Sequence, residues 1–297
     1  MPCYRPLTAY RTAQGSVVFS ELRRHGDFTH TLQLPCGQCV GCRLERSRQW
    51  AVRCVHEAQM HDENCFLTLT YSPENLPKGR TLVYSDVQKF LKRLRRWFKK
   101  PVRFYMCGEY GEQLDRPHYH LLLFGCQFPD LQPFRTGGSH KLCTSAILER
   151  LWGLGFCTIG QVTFESAAYT ARYIMKKVTG DLSKEHYRYV DPDTGEVFDR
   201  VPEFNHMSLK PGIGSSWFDR FSDDVYPDGM VVARGHPSRS PRYYDKLVSK
   251  LDPEVYDELL YEREVEGRSR FADNSEDRLK VRETVATARI SQLTKTL

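Results

Sequence analysis

The sequence has no apolar run approaching the 20 or so residues needed to cross a bilayer. It also has no apolar leader, since it starts Met1-Pro2-Cys3-Tyr4-Arg5. A membrane-spanning or exported protein is therefore not expected, and the chain reads as soluble and intracellular. No Walker-type G-x-x-x-x-G-K-[ST] loop is present. That excludes a fused helicase driven by nucleoside triphosphate, so any unwinding falls to a host enzyme. There is no internal repeat.

What is present is ordinary globular composition. Of 297 residues, 40% are hydrophobic and 27% charged, enough for one large domain or a core with substantial additions. The net charge of +6 is mildly basic and only hints at a polyanionic partner. Without a leader, the ten cysteines read as free thiols in a reducing interior. Cys65, Cys107, Cys126 and Cys157 stand in apolar surroundings as small core residues.

Three further cysteines, Cys36, Cys39 and Cys42, follow C-x2-C-x2-C spacing, which can aim several thiolates at one metal, most often zinc. Cys3 and Cys54 are the candidates for a fourth ligand. Arg46 stands where an iron–sulfur pattern would place its next cysteine. The bland alternative is a cluster of reduced thiols in a turn.

Hydrophobic periodicity gives the elements. Short alternating segments at Ser16–Phe19 and Phe28–Leu34 predict a small β element, and Leu44–His61 a helix. Cys65–Tyr71 reads as a buried strand. Ser85 is the expected N-cap of a helix over Asp86–Lys100, with apolar positions Val87, Phe90, Leu91, Leu94 and Phe98. The rest of that helix carries Lys89, Lys92, Arg93, Arg95, Arg96, Lys99 and Lys100 around Trp97. This one-sided basic excess points to a nucleic-acid contact, against the alternative of a solvated surface helix. Strands at Val102–Tyr110, His118–Phe124 and Phe156–Thr163 follow, with helices at Thr144–Trp152 and Glu165–Val178. The order β-α-β-β-α-β predicts an α+β fold with a ferredoxin-like, split βαβ core, its antiparallel sheet covered by helices on one face. Further on, a hairpin is expected around Asp191–Gly195 and a strand over Phe204–Leu209. Gly212-Ile213-Gly214 could bring backbone close to a phosphate, although a lone Gly-x-Gly is weak evidence. From Asp252 onward the chain reads as exposed helix or partial disorder. The expected divisions are an N-terminal β, cysteine and helix segment (1–62), a core (63–180), a β-rich extension (181–251) and a charged tail (252–297).

Two features carry chemistry. In a strand His118 and His120 point to one face while Tyr119 points away, so the two imidazoles form half of a divalent-metal site. Glu109 or Glu112 could complete it; a structural histidine pair is the alternative. In the helix over 165–178, Tyr169 and Tyr173 lie one turn apart on one face. Alone they suggest core packing; beside the histidines they suggest a pair of nucleophiles. A metal held by His118, His120 and a carboxylate would act as a Lewis acid on phosphorus, and a tyrosine attacking in line would form a phosphotyrosine. Lys176 or Lys177 could lower the phenol pKa or stabilise the phosphate charge, or simply compensate the helix dipole.

At these residues the sequence resembles a known family. His118-Tyr119-His120 is similar to the histidine–hydrophobic–histidine motif of HUH endonucleases, and Tyr169-x-x-x-Tyr173 to their two-tyrosine motif. Phe66–Tyr71 resembles the first motif of the Rep class. Together with the cysteine turn and Pro211–Gly214, the chain resembles the replication initiation proteins of small single-stranded DNA bacteriophages, the gokushovirus-type Microviridae, over most of residues 35–250. The resemblance implies the HUH endonuclease fold and rolling-circle replication. One tyrosine nicks single-stranded DNA at the phage origin and keeps the 5′ phosphate. The freed 3′ hydroxyl primes a host DNA polymerase beside a host helicase, in the cytoplasm of an infected bacterium, and the second tyrosine helps close the circle. It further implies Mg²⁺ or Mn²⁺ at the histidines, with Glu109, inside its strand, matching the third ligand better than Glu112. The competing reading is a non-catalytic, zinc-stabilised nucleic-acid-binding protein; a transposase of the same chemistry is disfavoured by the paired tyrosines.

Overall fold

The computed structural model describes residues 3–19, 28–111, 114–135, 142–172, 177–178, 180, 182–226, 228–270 and 272–292. They fall into two compact units, one built from residues 1–46 and 258–296, the other from residues 47–257.

The first unit opens with strands β1 (Leu7–Thr12), β2 (Val17–Val18) and β3 (Phe28–Leu34), joined as an antiparallel sheet in the order β2-β1-β3. The expected small β element is thus present, with the unforeseen β1 at its centre. Helix α1 (Val40–Gln59) begins four residues before the predicted start, so Cys42 lies in its first turn. The unit boundary falls inside this helix. The C-terminal part of the unit consists of the end of helix Pro253–Ser269 and of helix Glu276–Ser291. Exposed ion pairs one turn apart, Arg268–Glu264 and Lys280–Glu276, lace their surfaces.

The second unit is organised by one antiparallel sheet. Its elements are β4 (Asn64–Tyr71), α2 (Tyr84–Phe98), β5 (Arg103–Tyr110), β6 (Pro117–Phe124), β7 (Gln132–Arg135), β8 (Leu142–Thr144), α3 (Ala146–Trp152), β9 (Gly155–Gly160) and α4 (Phe164–Arg172). They are followed by α5 (Leu182–His186), the hairpin β10 (Arg188–Val190) and β11 (Val197–Asp199), and β12 (Phe204–Met207). Among the described residues, seven strands pair in the order β12-β5-β6-β4-β9-β8-β7. β6 slots between β4 and β5 and pairs antiparallel with both.

Helices cover both faces of this sheet, not one. On the first face Leu67, Leu69, Met106, Tyr119, Leu121 and Leu123 pack against Val87, Phe90, Leu91 and Leu94 of α2 and Leu148, Leu151 and Trp152 of α3. On the second, Phe66, Tyr105, Leu122 and Phe124 pack against Ala51 and Cys54 of α1, Ala167 and Ala171 of α4, and Ile213. Burial on both sides explains why residues 121–124 are apolar without a break: alternation with polar residues survives only where one face meets water. On the first face the Tyr119 hydroxyl accepts from the Val83 amide (2.7 Å) and donates to the Val83 carbonyl (3.1 Å). It also lies 3.0 Å from the Tyr71 hydroxyl. This junction sits at the start of α2, where Val83 and not Ser85 is the N-cap; Ser85 falls inside the first turn.

Other boundaries also move. α4 ends at Arg172 among the described residues; Lys177 and Val178 lie outside helix, and the Val178 amide donates to the Tyr187 hydroxyl (3.0 Å). The strand expected over Phe204–Leu209 ends at Met207 and joins the main sheet as the partner of β5. No helix among the described residues is long and apolar enough to cross a membrane.

The second glycine amide of the Gly212–Gly214 turn is already engaged and is not free for a phosphate. The Gly214 amide donates to Glu57 Oε2 (2.7 Å), and Arg103 reaches Glu57 Oε1 at 2.5 Å and the carbonyls of Pro211 and Gly212 at 2.9 and 3.2 Å. Glu57 is buried, with His61 Nε2 on the same carboxylate (3.1 Å). Burial alone would raise its pKa; the hydrogen bonds from His61, Arg103 and Gly214 outweigh that and hold it at about 2. Because the folded value lies below the ordinary one, the stabilisation is fully present above about pH 4.5 and is lost as pH falls towards 2. Glu57→Gln should cost about 2–4 kcal/mol at pH 7, and the difference from wild type should shrink steadily below pH 4.5. Urea unfolding at a series of pH values measures both.

Candidate active site

Register brings three donors together. Glu109 on β5 lies opposite His118 on β6, and Thr68 on β4 lies opposite His120. All four side chains project to the second face of the sheet, the one covered by α1 and α4. His118 Nε2 is 2.7 Å and His120 Nε2 2.9 Å from the same atom, Glu109 Oε1. The rings stand at right angles, with centroids 5.1 Å apart. Glu109 and His120 are buried, while His118 keeps 18% of its side chain exposed, so the cluster opens to solvent on the His118 side.

The remaining ring nitrogens are also engaged. His118 Nδ1 is 3.0 Å from the Arg116 carbonyl, and His120 Nδ1 is 3.0 Å from Thr68 Oγ1. A carbonyl only accepts, so His118 carries a proton on Nδ1, which leaves Nε2 as the nitrogen that meets Glu109. Thr68 can fix His120 in the same tautomer. Metal-ligating histidines have this outer arrangement. The Arg116 carbonyl also accepts from the Gly111 amide (3.0 Å), which closes the β5–β6 connection against His118. A Cβ at Gly111 would come 3.2 Å from the His118 ring, so a side chain there would displace that ring by a few tenths of an ångström.

Burial would raise the Glu109 pKa, but hydrogen bonding and charge from His118 and His120 outweigh it and hold the carboxyl below its ordinary range. An ionised oxygen facing two Nε2 atoms is satisfied by protons on both rings or by a cation shared among the three groups. Glu109, His118 and His120 thus form a group that could hold a metal ion, all three donor atoms lying within 4.8 Å of one another.

Tyr169 on α4 borders this group. Its ring meets His120 edge-on at 5.1 Å, and Phe66 stacks on the same imidazole at 5.6 Å. Reciprocal hydrogen bonds between Thr163 and Ser166 set the start of α4, Thr163 N to Ser166 Oγ at 2.9 Å and Ser166 N to Thr163 Oγ1 at 3.2 Å. Ser47 Oγ donates to the Ala168 carbonyl (3.0 Å), and Asn205 Nδ2 donates to the Thr170 carbonyl (3.4 Å) and the Tyr105 hydroxyl (2.9 Å). Tyr173, Lys176 and Glu112 lie outside the described residues, and Lys177 is exposed. Phe66 and Thr68 lie in the stretch that resembles the first Rep motif, but their individual roles, like those of Ser47 and Asn205, are not readable from the sequence, because they depend on strand register and helix placement.

The basic helix does not join this site. α2 packs on the opposite face of the sheet, where Arg93 donates to the carbonyls of Leu151 and Trp152 (2.7 and 2.9 Å) at the end of α3. Arg95 donates to the Val102 carbonyl, Lys89 pairs with Asp86, and Lys100 with Glu63. Lys92, Arg96 and Lys99 are exposed. A second group that could hold a metal, Cys3, Cys36, Cys39 and Cys42, lies in the other unit. Its fourth member is Cys3; Cys54 is buried in the core of the second face.

Comparison with known proteins gives a consistent picture. Residues 64–178 match the family described as replication-associated protein ORF2/G2P. The chain is 33% identical over 280 residues to replication-associated protein VP4 of Bdellovibrio phage phiMH2K, covering 91% of this chain and 84% of that one. It is 31% identical over 295 residues to replication-associated protein ORF2 of Spiroplasma virus 4, covering 92% and 87%. With replication-associated protein ORF4 of Chlamydia phage 1 the identity is 30% over 244 residues, covering 76% and 58%. No solved structure matches.

The role of Thr68 is open to a direct test. Thr68→Val keeps the shape but removes the partner of His120 Nδ1; for a divalent ion held by this group, with Mn²⁺ as the probe, it should weaken binding by about 10–100-fold with little loss of stability. Titration calorimetry and thermal unfolding together measure the two effects.

Proposed function

Because the chain belongs to the family of replication-associated proteins of Microviridae phages, we propose that it is the origin-nicking endonuclease of rolling-circle replication. In this reading the second unit is an HUH endonuclease of ferredoxin-like, split βαβ type. The observation that carries it is the convergence of Glu109, His118 and His120 on one point beside Tyr169. The placement of β6 between β4 and β5 supports the fold assignment.

Glu109, His118 and His120 would hold one divalent cation, Mg²⁺ or Mn²⁺, which when bound supplies Lewis-acid polarisation of the scissile phosphate. Two imidazole donors favour Mn²⁺ over Mg²⁺ in affinity. Tyr169 gives up its phenolic proton and attacks phosphorus, so that the Tyr169–phosphate bond forms as the bond to the 3′ oxygen breaks. The departing oxygen takes up a proton and becomes the 3′ hydroxyl that primes synthesis. Tyr173, one turn on in sequence, is the second nucleophile, required when the circle is closed. Lys176 and Lys177 are assigned to phosphate charge. The exposed Lys92, Arg96 and Lys99 of α2, on the far side of the sheet, are assigned to DNA held away from the scissile bond. A host helicase and a host DNA polymerase in the infected bacterium complete the reaction.

The test is incubation of the full-length protein with a single-stranded origin oligonucleotide and Mn²⁺, scored for a protein–DNA adduct that survives denaturation. Wild type should form it and Tyr169→Phe/Tyr173→Phe should not. His120→Ala should slow adduct formation by at least about 100-fold, the loss of several kcal/mol of charge stabilisation, with oligonucleotide binding little changed. No adduct with wild type would leave a nucleic-acid-binding protein without this chemistry. Equal loss of binding and cleavage in His120→Ala would assign the histidines to folding.

A further inference from the structure

We propose that Cys3, Cys36, Cys39 and Cys42 bind one structural zinc ion, independent of the Glu109–His118–His120 site, that fastens the segment before β1 to the start of α1. The four sulfurs all lie within 4.8 Å of one another. Cys3 Sγ and Cys39 Sγ are 3.9 Å apart. Tetrahedral zinc with Zn–S bonds of about 2.3 Å separates its sulfurs by about 3.8 Å, so this spacing is that of ligands around a common centre. All four cysteines are free thiols.

The backbone is also arranged for thiolates. The Tyr4 amide donates to Cys39 Sγ (3.3 Å), the Cys36 amide to Cys3 Sγ (3.3 Å), and the amides of Gln38 and Cys39 to Cys36 Sγ (3.4 and 3.2 Å). N–H groups directed at sulfur favour the charged form, and several thiolates this close together need a cation between them. Gly37 turns the chain between the first two ligands at φ +73°, in the left-handed region where glycine is unstrained. The local geometry that aims the sulfurs is thus written into C-x-x-C-x-x-C together with its glycine.

Cys36 and Cys39 precede α1, Cys42 lies in its first turn, and Cys3 comes from more than thirty residues earlier, ahead of β1. The three-stranded sheet between these ligands is short, and small units of this kind commonly depend on a metal for stability. A closed four-cysteine shell leaves no position for substrate, which makes the role structural.

The experiment uses untagged, full-length protein purified under reducing conditions without chelators. Elemental analysis should find about one zinc per chain in wild type and in His118→Ala/His120→Ala, falling at least about tenfold in Cys3→Ser/Cys39→Ser. Exchange into cobalt keeps the conclusion testable if the cysteine variant misfolds: unmutated protein should show thiolate-to-cobalt charge transfer and the intense visible absorption of a tetrahedral site. Absence of both zinc and that spectrum in wild type overturns the proposal. So does zinc retained without Cys3 and Cys39, zinc lost with the histidines, or iron found in its place.

Discussion

The second unit depends on the pleat of β6, a strand paired on both edges and buried on both faces. Each of its residues must serve one core or the other, and the period of two decides which. Leu121 and Leu123 go to α2 and α3; Leu122 and Phe124 go to α1 and α4. The same alternation sends Tyr119 to the first face and His118 and His120 to the second. A strand so enclosed cannot slip by one residue without reversing every assignment at once, which is why it can present polar groups inside a core at fixed positions.

Two buried carboxylates show how differently the chain treats negative charge in that interior. Glu57 meets a permanent cation, Arg103, and a backbone amide, and so becomes a structural tie between α1 and the turn at Gly212–Gly214. Glu109 Oε1 instead faces the Nε2 atoms of two imidazoles. The first arrangement is complete without any added ion. The second is a group that could hold one, and its His118 side is open to solvent. The contrast separates a carboxylate that holds the fold from one suited to chemistry, although both lie on the same side of the sheet, Glu57 on α1 and Glu109 on β5.

Much of this was legible from residue patterns because it rests on short-range periodicity. His-x-His on a strand states that two rings share a face, whereas the residues alone leave Glu109 and Glu112 open and the preference for Glu109 comes from the family resemblance. The cysteine spacing likewise announces a cluster. The fourth thiolate was not readable, because the choice between Cys3 and Cys54 is made by how the chain returns to the start of α1. Helix placement was the larger departure. Residues 121–124 carried the signal for burial on both faces, but the β-α-β-β-α-β order drew attention to α2 and α3 and away from α1 and α4. The cations of α2 illustrate a different limit: charge counting cannot see that Arg93 and Arg95 spend their donors on carbonyls at the end of α3 and before β5. Thr68 falls in the stretch that resembles the first Rep motif, but its partner was not readable, since only register places it opposite His120.

Tyr119, the residue between the two histidines, is hydrogen-bonded to Val83 at the start of α2, and its hydroxyl lies beside that of Tyr71. It therefore works as a rivet through the sheet, its head on one side and the imidazoles on the other. The stiffness of the candidate metal site is inherited in part from a junction that touches none of its ligands. Loosening the first turn of α2 would reach the imidazoles as greater thermal motion with every donor still in place, degrading aim before composition.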